Sequence, residues 1–381
     1  MQKLIKIAVL LTLSLFLTTQ QIYYLAFADS QFNYLSVTGP CNLEFPRDHG
    51  PHPGYRTEWW YYTGNLTSEN GNHYGFQLTF FRSQISPPGS EKNWPQPPSA
   101  WRTQQIYLGH AAISDISGKH HLQAECVSRE ALDMAGSDRN EGKTAIFIRD
   151  WSLHIGSNHH VIKVTTDEFA FELSLTPVKP PVLHGSAGYS RKGSTPERAS
   201  CYYSFTRLNT KGILSEEGKT ELVEGVSWMD HEFSTAVLEA GLAGWDWFSL
   251  QLSDKTEVMC FLLRKDDGGL SPVSSGTFVD AFGATRHLAN NDFKIEVLET
   301  WKSPTSNAVY PAKWRLLIFP LSIQLTIVPN LADQEMQTLK STGVTYWEGS
   351  VSLKGTKEGL AIIGQGYVEL TGYAGSFDAP M

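Results

Sequence analysis

The chain has 381 residues, 41% hydrophobic and 12% aromatic, with a formal net charge of −8. That length suggests about two domains, and the acidity argues against nucleic acid, which needs a basic patch, and against docking on anionic headgroups. The four cysteines, Cys41, Cys126, Cys201 and Cys260, are too widely and irregularly spaced for a zinc signature.

The first element is a candidate export signal. Lys3 and Lys6 precede the apolar run Ile7 to Leu17, which is too short to span a membrane comfortably. Ala26-Phe27-Ala28 fits a small-x-small cleavage site, so residues 1–28 read as a signal peptide and Asp29 as the mature start. The bland alternative is an uncleaved anchor. On the signal reading the protein is periplasmic or secreted, with no stable membrane span after cleavage. Its cysteines then either pair, in more than one possible way, or remain buried thiols.

After this segment, long helical periodicity is almost absent. Strand-like runs follow one another, punctuated by Gly, Asn, Asp and Pro. "EWWYYTGNL" (Glu58 to Leu66) and "HYGFQLTFF" (His73 to Phe81) flank the turn Glu69-Asn70-Gly71-Asn72. Next comes the proline-rich loop Ser83 to Gln105, with Trp94 and Trp101, which reads as a lid or as a surface insertion. Strands are predicted at Tyr107 to Asp115, Lys143 to Ile155, His160 to Thr166 and Ala170 to Pro177. A second Gly/Ser/Pro-rich loop, Pro180 to Ser200, is another candidate rim. The remaining strands include "YYSFTRL", "GVSWMDHEF", "GWDWFSLQL", "EVMCFLLRK", "KWRLLIFP", "YWEGSVSL" and "GYVELTGY". Such regular antiparallel strands favour a barrel or sandwich.

The halves echo each other. Glu58-Trp59-Trp60 is followed by a strand reaching Arg82, and Asp246-Trp247-Phe248 by a strand reaching Arg264. "YYSFTRL" matches "YWEGSVSL", and a Gly-led strand closes each half. The pattern predicts an all-β fold of two tandem antiparallel β-barrels. The boundary falls in Ser234 to Gly244, a small-residue stretch with helical propensity, giving units 29–235 and 236–381.

Familiar catalytic signatures are missing: no nucleophile elbow, no P-loop and no H-E-x-x-H. His49-x-x-His52 has ligand-like spacing, but its prolines make an extended segment, and no metal or cofactor is expected. The neighbouring pairs His120-His121 and His159-His160 point to opposite strand faces and cannot chelate as pairs. The acidic-aromatic clusters carry more chemistry. In "SWMDHEF", alternation puts Trp228, Asp230 and Glu232 on one face and His231 on the other. An acid among indoles is desolvated and holds its proton at higher pH. It can then protonate a poor base, and aromatic faces stabilise the resulting cation. The candidate catalytic set is Asp230, His231, Glu232 and Asp246, with Trp228, Trp245, Trp247, Trp59 and Tyr61 as substrate-binding rings. The bland reading of Glu58 with Arg82, and of Asp246 with Arg264, is a buried ion pair fixing each barrel's register. For Glu58 that reading is preferred.

Those stretches carry a family resemblance. "FPRDHGPHPGYRTEWWYYTGNL", "GFQLTFFR", "HAAISD", "YYSFTRL", "EGVSWMDHEF", "GWDWFSLQL", "YPAKWRL", "YWEGSV" and "GYVELTGY" run from Phe45 to Tyr373. Together they resemble the AttH/carotenoid 1,2-hydratase family of two-domain, lipocalin-like secreted proteins. The resemblance implies two lipocalin-like barrels with a site near their interface, and cofactor-free hydration of an isoprenoid C=C bond. The expected partner is a hydrophobic small molecule, an isoprenoid or other lipid. An alternative from a different class is a non-catalytic periplasmic carrier, its barrels serving as apolar cups.

Overall fold

The computed structural model describes residues 33–140, 143–236 and 238–375. The signal segment 1–28 lies outside them. The first sheet contains β1 (Thr57–Ser68), β2 (His73–Gln84), β3 (Gln105–Asp115), β4 (His120–Arg129), β5 (Ala135–Asn140), β6 (Lys143–Ile148), β7 (Trp151–Ile155), β8 (His160–Thr165), β9 (Phe169–Pro177), β10 (Val182–Leu183), β11 (Tyr189–Arg191), β12 (Ala199–Glu216) and β13 (Lys219–Ser234). Its path runs β4-β3-β2-β1-β13-β12-β9-β8-β7-β6-β5, with β10 and β11 pairing β12. Its ends approach, β5 and β6 meeting β3 and β4, so the sheet rolls toward a closed barrel.

The second sheet contains β14 (Leu242–Leu252), β15 (Glu257–Lys265), β16 (Ser275–Val279), β17 (Thr285–Leu288), β18 (Phe293–Lys302), β19 (Val309–Ile318), β20 (Ile323–Pro329), β21 (Glu335–Thr338), β22 (Val344–Lys357) and β23 (Leu360–Leu370). Its order is β17-β16-β15-β14-β23-β22-β20-β19-β18, with β21 pairing β22. The repeat is visible in this topology. β1 lies between its hairpin partner β2 and the last strand of its sheet, β13; β14 lies likewise between β15 and β23.

Strand alternation explains the aromatic run after Glu58. Trp60 and Tyr62 point into the first barrel, packing with Phe76, Leu78 and Phe80 from β2. The intervening Trp59 and Tyr61 point outward, yet they are not on a free surface. They join Tyr202, Trp228, Trp247 and Phe261 in a separate apolar layer between the sheets. Both faces of β1 are therefore covered, which removes the usual polar alternation. The second sheet has its own core, including Phe248, Leu250, Trp314 and Leu325.

Two further ties hold the molecule. Cys41 and Cys201 form a disulfide joining the segment before β1 to β12, while Cys126 and Cys260 are free. Glu257 of β15 is buried and accepts from two cations of the first half: Lys179 Nζ at 2.6 Å and Arg207 Nε at 2.6 Å.

Two local expectations are corrected. The run Lys143 to Ile155 is two strands, not one, because Arg149 adopts a left-handed φ of 55° and turns the chain between β6 and β7. The stretch Ser234 to Gly244 forms no helix among the described residues; Ala236 and Leu238 instead cover the layer between the sheets. A helix so short and followed by Gly241 has too few hydrogen bonds to offset its nucleation cost. The proline-rich loop after β2 does not line the cavity described below, and Trp101 is exposed.

A candidate active site between the two sheets

The register of β1 against β13 decides which side chains meet. Tyr61 pairs with Asp230 and Trp59 with Glu232, so these acids share the outward face of the aromatics. Trp60 pairs with His231, so the histidine points the other way, into the first barrel. In the second sheet Trp247 of β14 pairs with Glu369 of β23, and Glu369 pairs with Glu348 of β22. Both glutamates therefore lie on the face of Trp245 and Trp247, turned toward β1 and β13.

These faces enclose a cavity of about 440 Å³. Its aromatic wall includes Trp59, Tyr61, Tyr202, Trp245 and Trp247. Its carboxyls are Asp230, Glu232, Glu348 and Glu369. The Pro180 to Ser200 loop contributes Lys192, so this second loop is part of the rim.

Asp230 is held by three donors. Trp228 Nε1 donates to its Oδ1 at 2.6 Å, Tyr202 Oη donates to its Oδ2 at 2.8 Å, and Ser204 Oγ donates to Oδ1. Trp247 Nε1 in turn donates to Tyr202 Oη at 3.1 Å. Burial nevertheless dominates and pushes the Asp230 carboxyl up to about 7, against the lowering effect of those donors. Behind it, Ser204 Oγ lies 2.6 Å from His184 Nε2, whose other ring nitrogen lies 2.9 Å from Thr277 Oγ1. Burial pushes His184 down to about 3, so it is neutral.

The neighbouring Glu232 is ion-paired with Lys192 at 3.1 Å. The same ammonium lies 4.3 Å from the Phe261 ring centre and 5.0 Å from that of Tyr202. Across the cavity, burial raises Glu369 to about 7, although Trp245 Nε1 donates to it at 3.2 Å. Burial and then the adjacent Glu369 raise Glu348 further.

The structure separates the sequence-derived candidates. Asp230, Glu232, Trp59, Tyr61, Trp245 and Trp247 line the cavity, and Trp228 supports Asp230 from behind. His231 and Asp246 do not line it. His231 Nε2 lies 2.7 Å from Glu58 Oε1, and its Nδ1 lies 3.0 Å from Tyr203 Oη. Asp246 shares the inward face of Phe248 and pairs with Arg264 at 2.8 Å, with Tyr373 Oη donating to it. Alternation places consecutive strand residues on opposite faces, so neither belongs with its neighbours in the chain.

Glu58 pairs with Arg82 at 2.8 Å, and His52 Nδ1 lies 2.7 Å away. Burial raises Glu58, but Arg82, His52 and His231 outweigh it and hold the carboxyl well below its ordinary value. The donor atoms of His52, Glu58 and His231 lie within 4.8 Å of one another. They are already committed to each other and to Arg82, which leaves no free ligand set.

Sequence reasoning missed Glu348 and Glu369. The signal in the sequence is the Glu358-Gly359 dipeptide between two strand-like runs, which in the structure forms a two-residue hairpin turn with positive φ at both residues, 51° and 81°. Counting back from such a turn sets the register that pairs these glutamates.

The fold agrees with what the chain is similar to. A family model described as AttH-like matches residues 36–373. An AttH protein of known structure from Nitrosomonas europaea is 33% identical, over 89% of this chain and 99% of that one, with a TM-score of 0.78. Kievitone hydratase from Nectria haematococca shares the fold at 15% identity and a TM-score of 0.68, over 91% of this chain and 97% of that one. CghA, solved with Sch210972, is similar at 13% identity and a TM-score of 0.56, over 91% and 98% of the two chains. No curated protein sequence matches the chain. The matched family model spans both sheets and every residue of the cavity wall, and the chain therefore belongs to the AttH-like family.

Proposed function

We propose that the cavity takes a hydrophobic unsaturated molecule, isoprenoid or lipid, and adds water across a C=C bond. One observation carries this reading: Asp230 is a buried acid, protonated near neutrality, at the wall of an aromatic cavity. The name of one fold relative, kievitone hydratase, is consistent with it.

In this reaction Asp230 transfers its proton to the less substituted alkene carbon. Trp228 and Ser204 both donate to Oδ1, whereas Oδ2 accepts from Tyr202 alone and keeps a lone pair for the mobile proton. The electron pair of the C=C bond forms the new C–H bond, and a tertiary cation remains on the other carbon. Trp245, Trp247 and Tyr61 offer it ring faces, whose quadrupoles stabilise positive charge. Water adds to the cation, and its surplus proton passes to Glu232, beside Lys192. Exchange with solvent returns the proton to Asp230 and closes the cycle. His231 and Asp246 act only by positioning: each anchors an ion-pair network behind the aromatic wall.

On this reading residues 1–28 export the protein to the periplasm or beyond, and 29–235 and 236–381 form the two lipocalin-like units. No helix among the described residues is long and apolar enough to cross a membrane. The test is incubation with a panel of acyclic isoprenoids and polyenes, with mass spectrometry for the tertiary alcohol. Protein that retains such lipids but converts none would instead be a carrier.

A further inference from the structure

Glu348 and Glu369 are directly opposed on neighbouring antiparallel strands. Like charges so placed repel. Such pairs are separated, joined by a cation or neutralised by a proton; here no cation lies between them, and burial raises both carboxyls so that they hold protons. None of the ion pairs among the described residues involves either glutamate; the cavity's lysine is committed to Glu232. Glu348 is 2% exposed, and its Oε1 has no hydrogen-bond partner. Tyr61 Oη, on the facing wall, is likewise buried and approaches this carboxyl. A buried unpaired carboxyl oxygen is costly, and a stability-driven sheet would replace it with an apolar residue.

The surroundings indicate what would satisfy it. Trp245 stands against Glu369, while Tyr61 and Tyr346 approach Glu348. An acid pair in an aromatic-lined cavity can give up a proton and take an organic cation in its place, with ring faces of the same wall adding to the attraction. The same cavity already holds one ammonium in this manner, Lys192 between Glu232 and the rings of Phe261 and Tyr202. We infer that the Glu348–Glu369 pair is a cation subsite, which receives the positively charged, or positively charging, part of a hydrophobic ligand. The inference rests on the hydration reading for its catalytic meaning: a subsite of this kind stabilises the tertiary cation from the side opposite Asp230. Its binding consequence does not depend on turnover.

The test uses N,N-dimethylgeranylamine, cationic at neutral pH, and the neutral geranyl methyl ether of similar shape. Dissociation constants are measured by calorimetry with the full mature chain. The amine should bind about tenfold or more tightly than the ether. In the E348Q/E369Q variant, and in E369Q alone should the double variant fold poorly, the preference should fall toward parity. Ether affinity should stay close to wild type. Equal binding of the two probes by wild type would overturn the subsite and leave the apolar cavity standing, as would a preference that survives both variants. Failure to bind either probe would also overturn it. Amine preference without hydration of any alkene would uphold the subsite and refute the hydration reading.

Discussion

Asp230 and His231 are consecutive in β13, yet they occupy different compartments. Asp230 faces the cavity between the sheets, while His231 lies inside the first barrel, 2.7 Å from Glu58. One strand thus serves two polar networks, and a change at one residue should report on chemistry while a change at the other reports on stability.

The Glu58 network is the structural one. Glu58→Ala strands Arg82 and removes the partner of two histidines, so it should cost about 3–5 kcal/mol. The carboxyl's folded-state value is depressed. Its stabilisation is therefore present above the ordinary carboxylate range and lost as pH falls through the lower folded value. Denaturant melts of wild type and variant should converge in strong acid. A variant as stable as wild type at neutral pH would show that Glu58 is not the anchor of β1, β2 and β13.

Asp230 should behave in the opposite way. Its folded value is raised to about 7. The protonated form is favoured in the folded chain, so the contribution is complete below the unfolded value and is lost as pH rises through about 7. Asp230→Asn cannot ionise, and it should flatten this loss, making the variant relatively more stable in mild alkali. Melting curves across neutrality check this. A wild-type profile unchanged by the substitution would mean that the acid is already ionised.

Asp246→Asn separates position from chemistry. Asp246 pairs with Arg264, but Arg264 also stacks on Tyr373 at 3.7 Å and donates to the Thr371 carbonyl. The arginine keeps these partners, so the loss should be about 1–3 kcal/mol, less than at Glu58. Turnover should stay within about tenfold of wild type, because the group does not reach the cavity and supplies no general acid. A collapse of activity in a well-folded variant would return Asp246 to the mechanism.

These contrasts show what was legible in the sequence. Two-residue alternation and the matched acid–arginine spacing pointed to both antiparallel sheets and both ion pairs, since those are local or hairpin relations. Alternation also put Asp230 and Glu232 together and His231 apart. Asp246 was harder to place. "GWDWF" shows that the acid and its tryptophans face opposite ways, but not which face meets the other sheet. That depends on packing between strands far apart in sequence. Glu348 and Glu369 were visible as motif residues, but their opposition depends on the register of the hairpin that joins their strands. The cavity itself requires both sheets, and only the packed structure shows it.

The central claim is that Asp230 is the proton donor of a cavity shared by the two sheets. The most direct measurement compares wild type and Asp230→Asn for hydration of an acyclic isoprenoid in ¹⁸O-labelled water, with bound ligand quantified in parallel. Wild type should incorporate the label into a tertiary alcohol. Asp230→Asn should lose about 10²–10⁴-fold in rate while retaining ligand, because the aromatic wall is intact. Labelled product formed equally by both proteins, or ligand held but never converted by wild type, would contradict the claim.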